Sequence, residues 1–143
     1  LHTCGESSLP PVIVRLADLD LHPGDVLHLR VLGGCDGPIG RYGDQASGVF
    51  SSSDVLLDQS NRYRVPGAIQ ADTHDDPTAV TYECGGEPTD IPEDFRINRS
   101  LIVEIPTGAT HLFIGVADCW YSDNTEYPDG YAVYLTALQK YNQ

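Results

Sequence analysis

Apolar and polar positions alternate with a period of two along much of the chain. Leu27, Leu29 and Val31 stand opposed to His28 and Arg30, and Leu101, Val103 and Ile105 to Glu104. The same spacing recurs in Val12, Val14 and Leu16, in Leu112, Ile114 and Val116, and in Tyr131, Val133, Leu135 and Ala137. Successive side chains of a strand point to opposite faces, so this spacing predicts half-buried strands. No segment carries a helical stripe. The turn formers His22-Pro23-Gly24-Asp25 and Pro106-Thr107-Gly108 separate the runs, with Pro fixing φ and Gly allowing positive φ. Short strands between such turns predict an all-β, antiparallel β-sandwich. Asp25 itself reads as a turn residue. Two stretches lack the alternation, residues 33–53 and 72–94, and are expected to be long irregular loops of the kind that carry function or motion. Ser51-Ser52-Ser53, inside the first, reads as a short flexible run.

Length and composition set limits on this picture. A chain of 143 residues with 41% hydrophobic content fits one packed domain, 1–143, and shows no internal repeat or linker. The formal charge of −13, from 21 acidic and 8 basic residues, opposes any phosphate backbone and argues against a nucleic-acid partner. No run approaches the roughly 20 apolar residues that span a bilayer, and the start, Leu1-His2-Thr3-Cys4, has neither a basic nor an apolar leader region, so a soluble, already processed chain is expected. From residue 65 to 95 there is no Lys or Arg, while Asp72, Asp75, Asp76, Glu83, Glu87, Asp90, Glu93 and Asp94 repel one another. That acidic loop is either a solvated insertion or a second cation site.

Four cysteines, Cys4, Cys35, Cys84 and Cys119, lie far apart with no CxxC pair, which points to two disulfides and a secreted, oxidising location, reduced buried thiols being the alternative. Four Cys allow three connectivities, and spacing alone does not choose among them. The absence of Met and the sequon Asn98-Arg99-Ser100 are compatible with secretion.

The common catalytic templates are missing. His2, His22, His28, His74 and His111 are scattered, with no HExxH, GxSxG or Walker loop, so no enzymatic activity is expected. A carboxylate pair for glycoside hydrolysis remains open, because sequence does not reveal carboxylate separations. Chemistry concentrates instead where the apolar run His111-Leu112-Phe113-Ile114-Gly115-Val116 passes into Ala117-Asp118-Cys119-Trp120-Tyr121-Ser122-Asp123-Asn124. Calcium takes about 6 to 8 oxygens from carboxylates, amide side chains and backbone carbonyls, and Asp118, Asp123 and Asn124 offer several in one loop. The spacing is not that of an EF-hand. An Asx-rich turn, its side chains bonded to their own backbone, explains the same composition. His111 begins the preceding strand on the exposed parity and reads as an ordinary surface histidine.

Three groups of residues, taken in order, carry a resemblance. Pro23-Gly24-Asp25-Val26, then Asp36-Gly37-Pro38-Ile39-Gly40-Arg41-Tyr42-Gly43, then residues 118–124 followed by Gly130-Tyr131-Ala132-Val133, resemble the LecA-type (PA-IL-like) calcium-dependent galactose lectins over about two-thirds of the chain. The resemblance implies a jelly-roll-like sandwich in which one calcium bridges protein and sugar hydroxyls. It implies calcium ligation by Asp118, Asp123 and Asn124, by a backbone carbonyl at Asp36, and by the carbonyl of Tyr121 or Ser122, in a loop shorter than the family's by about two residues. The family's His-Pro-x-Gln sugar segment has no counterpart in residues 45–54, which removes the ground for galactose specificity. Calcium can still coordinate a vicinal diol alongside Asp118 and Asp123, with Gln45 or a loop serine bonding a further hydroxyl. Trp120 either stacks on the sugar ring or plugs the core or rim, and Tyr121 and Tyr127 share that ambiguity. If the family geometry holds, the loops at Asp36 and Asp118 converge, a Cys35 to Cys119 bridge preorganises the site, and Cys4 to Cys84 ties the N-terminal segment to the acidic loop.

The expectation is therefore a secreted calcium-dependent domain that binds a galactose-like sugar or another glycan without turning it over. A lone sugar site binds weakly, so useful avidity asks for several sites, through a homo-oligomer or a multivalent partner. Two alternatives stand beside it. One is a structural or adhesive sandwich that calcium rigidifies for a protein partner. The other is a secreted hydrolase or its inhibitor or accessory domain, with the acidic loop supplying carboxylates.

Overall fold

The computed structural model describes residues 12–37, 40–43, 45–57, 65–73, 83–84, 87–88, 93–116 and 125–140. Strands make up 57% of what is described, all in antiparallel pairs, so the expected all-β sandwich character is present. The strands are β1 (Val12–Arg15), β2 (Val26–Gly37), β3 (Gly40–Gly43), β4 (Gln45–Ser51), β5 (Ala68–Ile69), β6 (Asp72–Thr73), β7 (Glu83–Cys84), β8 (Glu87–Pro88), β9 (Phe95–Asn98), β10 (Ser100–Glu104), β11 (His111–Val116) and β12 (Thr125–Gln139). A 3-10 turn, Leu16–Leu19, takes over from β1 and closes on Asp20 in the left-handed conformation. Among the described residues β7 and β8 pair only with each other.

The main sheet runs β1-β11-β4-β9-β10-β2-β12. Its two halves meet at a corner. β9 and β10 share a single pair, Asn98 opposite Ser100, and between them Arg99 adopts φ 66°. The path folds over there, because Leu27, Leu29, Val31, Leu101 and Val103 from one half and Ala46, Phe50, Ile97, Leu112 and Ile114 from the other belong to one buried cluster. Alternation in β2 and β10 sends these side chains inward while His28, Arg30 and Ile102 point away from the core.

The predicted strands at 26–31, 101–105, 111–116 and 131–137 are present, but residues 33–53 are not an irregular loop. β2 continues to Gly37, turns into β3, and β4 follows after one residue. Period-two alternation is absent from β4 because both of its faces are buried. Ala46 and Phe50 face the main core, while Val49 packs with Phe113 and Val65 in a second cluster flanked by Leu56 and Ala68. β11 is likewise covered on both faces, with Leu112, Phe113, Ile114 and Gly115 all buried, where a half-buried strand is the expectation from spacing.

The segment that covers the second face is tied down by the serine run, which is structured rather than flexible. Ser51 Oγ donates to the Pro66 carbonyl at 2.9 Å and accepts from Ser53 N–H at 3.0 Å. Ser53 Oγ also donates to Pro66 O at 3.1 Å, and Ser52 N–H donates to Gly67 O at 3.1 Å. Pro66-Gly67 is a tight turn in which Ala68 N–H returns to Val65 O and Gly67 adopts φ 75°. The serines thus satisfy the carbonyls of the turn that lays Val65 over Phe113. Asp94, assigned above to the repelling acidic loop, is buried at the entry to β9.

Two substitutions test this account. Gly48 faces Phe95, and a Cβ there would lie 2.6 Å from Cζ of a fully buried ring that is itself stacked at 5.6 Å on Phe50. Gly48→Ala is expected to cost about 1–3 kcal/mol, read as a lower denaturation midpoint, and Gly48→Ala/Phe95→Leu to cost less than the sum of the single changes. Ser51→Ala removes a buried hydroxyl, and is expected to cost about 1–2 kcal/mol and to speed amide exchange at Ser52 and Ala68; unchanged protection at both would contradict the clamp.

Candidate functional site

The proposed site lies where β2 outruns its partner. β10 stops pairing with β2 at Ser100 opposite Arg30, and among the described residues β2 beyond 31 pairs with β12 and β3. β2 and β3 form a hairpin with Gly34 opposite Gly43, Cys35 opposite Tyr42, Asp36 opposite Arg41 and Gly37 opposite Gly40. On the other side β12 pairs Gly33 with Tyr131, Cys35 with Glu126 and Asp36 with Thr125. Between Tyr131 and Glu126 the register shifts, five steps on β12 against two on β2. The extra residues include Pro128, which has no N–H to give to a ladder and is at home in a bulge.

Residues 117–124 lie outside the described residues, and with them Asp118, Cys119, Trp120, Tyr121, Ser122, Asp123 and Asn124. Their two ends are placed. β11 finishes with Val116 opposite Ala46, next to Gln45, which pairs with Asn98 on β9. β12 begins with Thr125 opposite Asp36. The connection therefore leaves beside Gln45 and returns beside Asp36, two of the residues assigned above to the sugar and the ion. Gly43 of β3 precedes Gln45 by two positions and pairs with Gly34 of β2, which joins the two halves of the sandwich at this end.

The donor set suits a hard cation: every assigned ligand is a carboxylate, an amide or a backbone carbonyl. Asp36 is flanked on both sides by strands, yet a carbonyl oxygen has two lone pairs, so a ladder bond leaves one free for an ion. Cys35, opposite Tyr42 and Glu126, is at the same end of β2. Cys84 sits in β7 opposite Glu87, and its assigned partner Cys4 lies outside the described residues.

Among the described residues, one other acidic pair lines a groove. Asp72 and Glu104 are opposite each other on β6 and β10, beside an open groove of about 540 Å³ formed with Pro23, Gly24 and Pro106 at the opposite end of β2. Among the described residues no group of three His, Cys, Asp or Glu could hold a metal, and no helix is long and apolar enough to cross a membrane. His111 is half-buried, its Nδ1 2.8 Å from Thr110 Oγ1, at the far end of β11 from Val116.

Sequence reasoning missed the partner of Asp25. This carboxylate is 1% exposed, accepts from His22 N–H at 2.9 Å, and faces Lys140 Nζ at 3.0 Å. Lys140 also donates to the Asp20 carbonyl. The Pro-Gly turn before β2 is legible locally, but a cation that far along the chain leaves no local signal. Comparison with protein-family models, with curated proteins and with solved structures finds no match to this chain.

Proposed function

We propose that the chain is a secreted calcium-dependent carbohydrate-binding domain in which one ion bridges the protein and sugar hydroxyls. Asp118, Asp123 and Asn124 supply side-chain oxygens, and Asp36 with Tyr121 or Ser122 supplies backbone carbonyls. Trp120 and Gln45 complete the contact with the sugar, and a Cys35 to Cys119 disulfide braces the ligand loop. The observation that carries this reading is the register of Thr125 with Asp36 and of Val116 with Ala46, which holds both ends of the oxygen-rich connection against the strands bearing Asp36 and Gln45. A loop anchored at both ends loses less entropy on closing around an ion than a free segment of the same length would. Among the described residues, one neighbouring carboxylate pair, Asp72 and Glu104, lines a groove, at the opposite end of β2 from Asp36.

Asp118→Ala is the informative variant. Calcium at millimolar concentration is expected to raise the melting temperature of the native chain and to leave that of Asp118→Ala unmoved, with glycan binding lost in parallel. Asp25→Asn, at the opposite end of β2, is expected to lower stability while leaving the calcium response intact. A full calcium shift in Asp118→Ala would place the ion elsewhere.

A further inference from the structure

The outward face of β10-β2-β12 carries a second concave surface, at the middle of β2 rather than at its Asp36 end. Register sets Ser100, Arg30 and Tyr134 side by side in one row, and Ile102, His28 and Thr136 in the next. Cross-strand neighbours on one face have Cβ atoms about 4.5–5.5 Å apart, so the side chains of each row can reach one ligand together. The groove has a volume of about 490 Å³ and is lined by His28, Arg30, Val31, Leu32, Arg99 and Ser100. None of these is acidic, although the chain carries a net charge of −13 and only 8 Lys and Arg in all. Arg30 and Arg99 thus place a quarter of the chain's permanent cations on one groove.

Arg99 holds its place at a conformational cost. Its φ of 66° is a left-handed value that costs a residue with a side chain about 1–2 kcal/mol, and its carbonyl is fixed by Val31 N–H at 2.8 Å. Glycine or asparagine would turn the same corner with less strain, but neither would set a guanidinium at the groove. Tyr134, beside Arg30, is 56% exposed and has an aromatic ring to offer a ligand.

We propose that this groove binds a saccharide bearing a carboxylate. A guanidinium fork such as that of Arg30 matches a carboxylate in two parallel N–H···O bonds, the Ser100 hydroxyl can pair with a ring hydroxyl, and the Tyr134 face, beside the groove, accepts the C–H side of a pyranose. The ligand is a short one with a single local charge. A long polyanion would meet the repulsion of the strongly acidic chain as a whole, whereas a single carboxylate on Arg30 is governed by that guanidinium at contact distance. The site is independent of calcium and of the proposed ion-bridged sugar.

The test is an NMR titration of the intact chain with galacturonic acid, and with its methyl ester as the uncharged control, in calcium-free buffer at low salt. The acid is expected to shift the amides of Arg30, Ser100 and Tyr134, and the ester to bind at least tenfold more weakly. Arg30→Gln should weaken the acid at least tenfold, and Tyr134→Ala should weaken both ligands. Arg99→Gly removes a charge and relieves the corner, so it should lose affinity while gaining stability, which separates loss of binding from loss of fold. Equal binding of acid and ester, undiminished affinity in Arg30→Gln, or a response that appears only when calcium is restored would overturn the proposal.

Discussion

Three strands, β3, β10 and β12, take their register from β2. It pairs with β10 and β12 over its first half, with β3 and β12 over its second, and its inward residues Leu27, Leu29 and Val31 are all but fully buried. Its start is pinned by Asp25, whose backbone exchanges with Ile105 through Ile105 N–H to Asp25 O while Gly24 N–H reaches Ile105 O. Lys140 then ties the end of the last strand to the same carboxylate. A buried carboxylate facing a half-exposed ammonium contributes less to net stability than its distance suggests, because desolvation offsets the attraction. What it does specify is register: sliding β12 by one residue would move Lys140 away and turn Val133 and Leu135 from the core.

That single strand separates three chemically distinct places. Its start meets the carboxylates of Asp72 and Glu104, its outward middle carries Arg30 among cations, and its far end holds Asp36 against the return of the 117–124 connection. The far end is held by pairing on both sides, to β3 and to β12. The pairing explains how a segment rich in glycine can still keep an extended register. Gly33, Gly34, Gly37, Gly40 and Gly43 weaken a strand individually, and the hairpin with β3 together with the ladder to β12 offsets that weakness.

Much of the fold was legible in sequence where one face of a strand is wet. β2, β10 and the later part of β12 follow the alternation of their residues, because the contrast between core and solvent is what period two records. β4 was not legible for the same reason: Ala46, Ser47, Gly48, Val49 and Phe50 are all buried, so no polar face marks the strand. Ser51-Ser52-Ser53 misled because composition cannot show that its hydroxyls bond to Pro66. The oxygen-rich character of 118–124 was legible outright, and so was the turn at Gly24. The juxtaposition of Asp36 with Thr125, and of Arg30 with Ser100 and Tyr134, depends on pairing between distant strands and leaves no local trace.

The central claim is that calcium at the far end of β2 holds a carbohydrate. A glycan array probed with the intact chain in millimolar calcium and again in chelator tests it most directly. The account predicts signal on a related set of neutral sugars carrying vicinal diols in calcium, and its loss in chelator. A neutral-sugar signal unchanged by chelator, or an array blank in both buffers, would contradict it and leave the ion, if bound at all, as a brace for the loops.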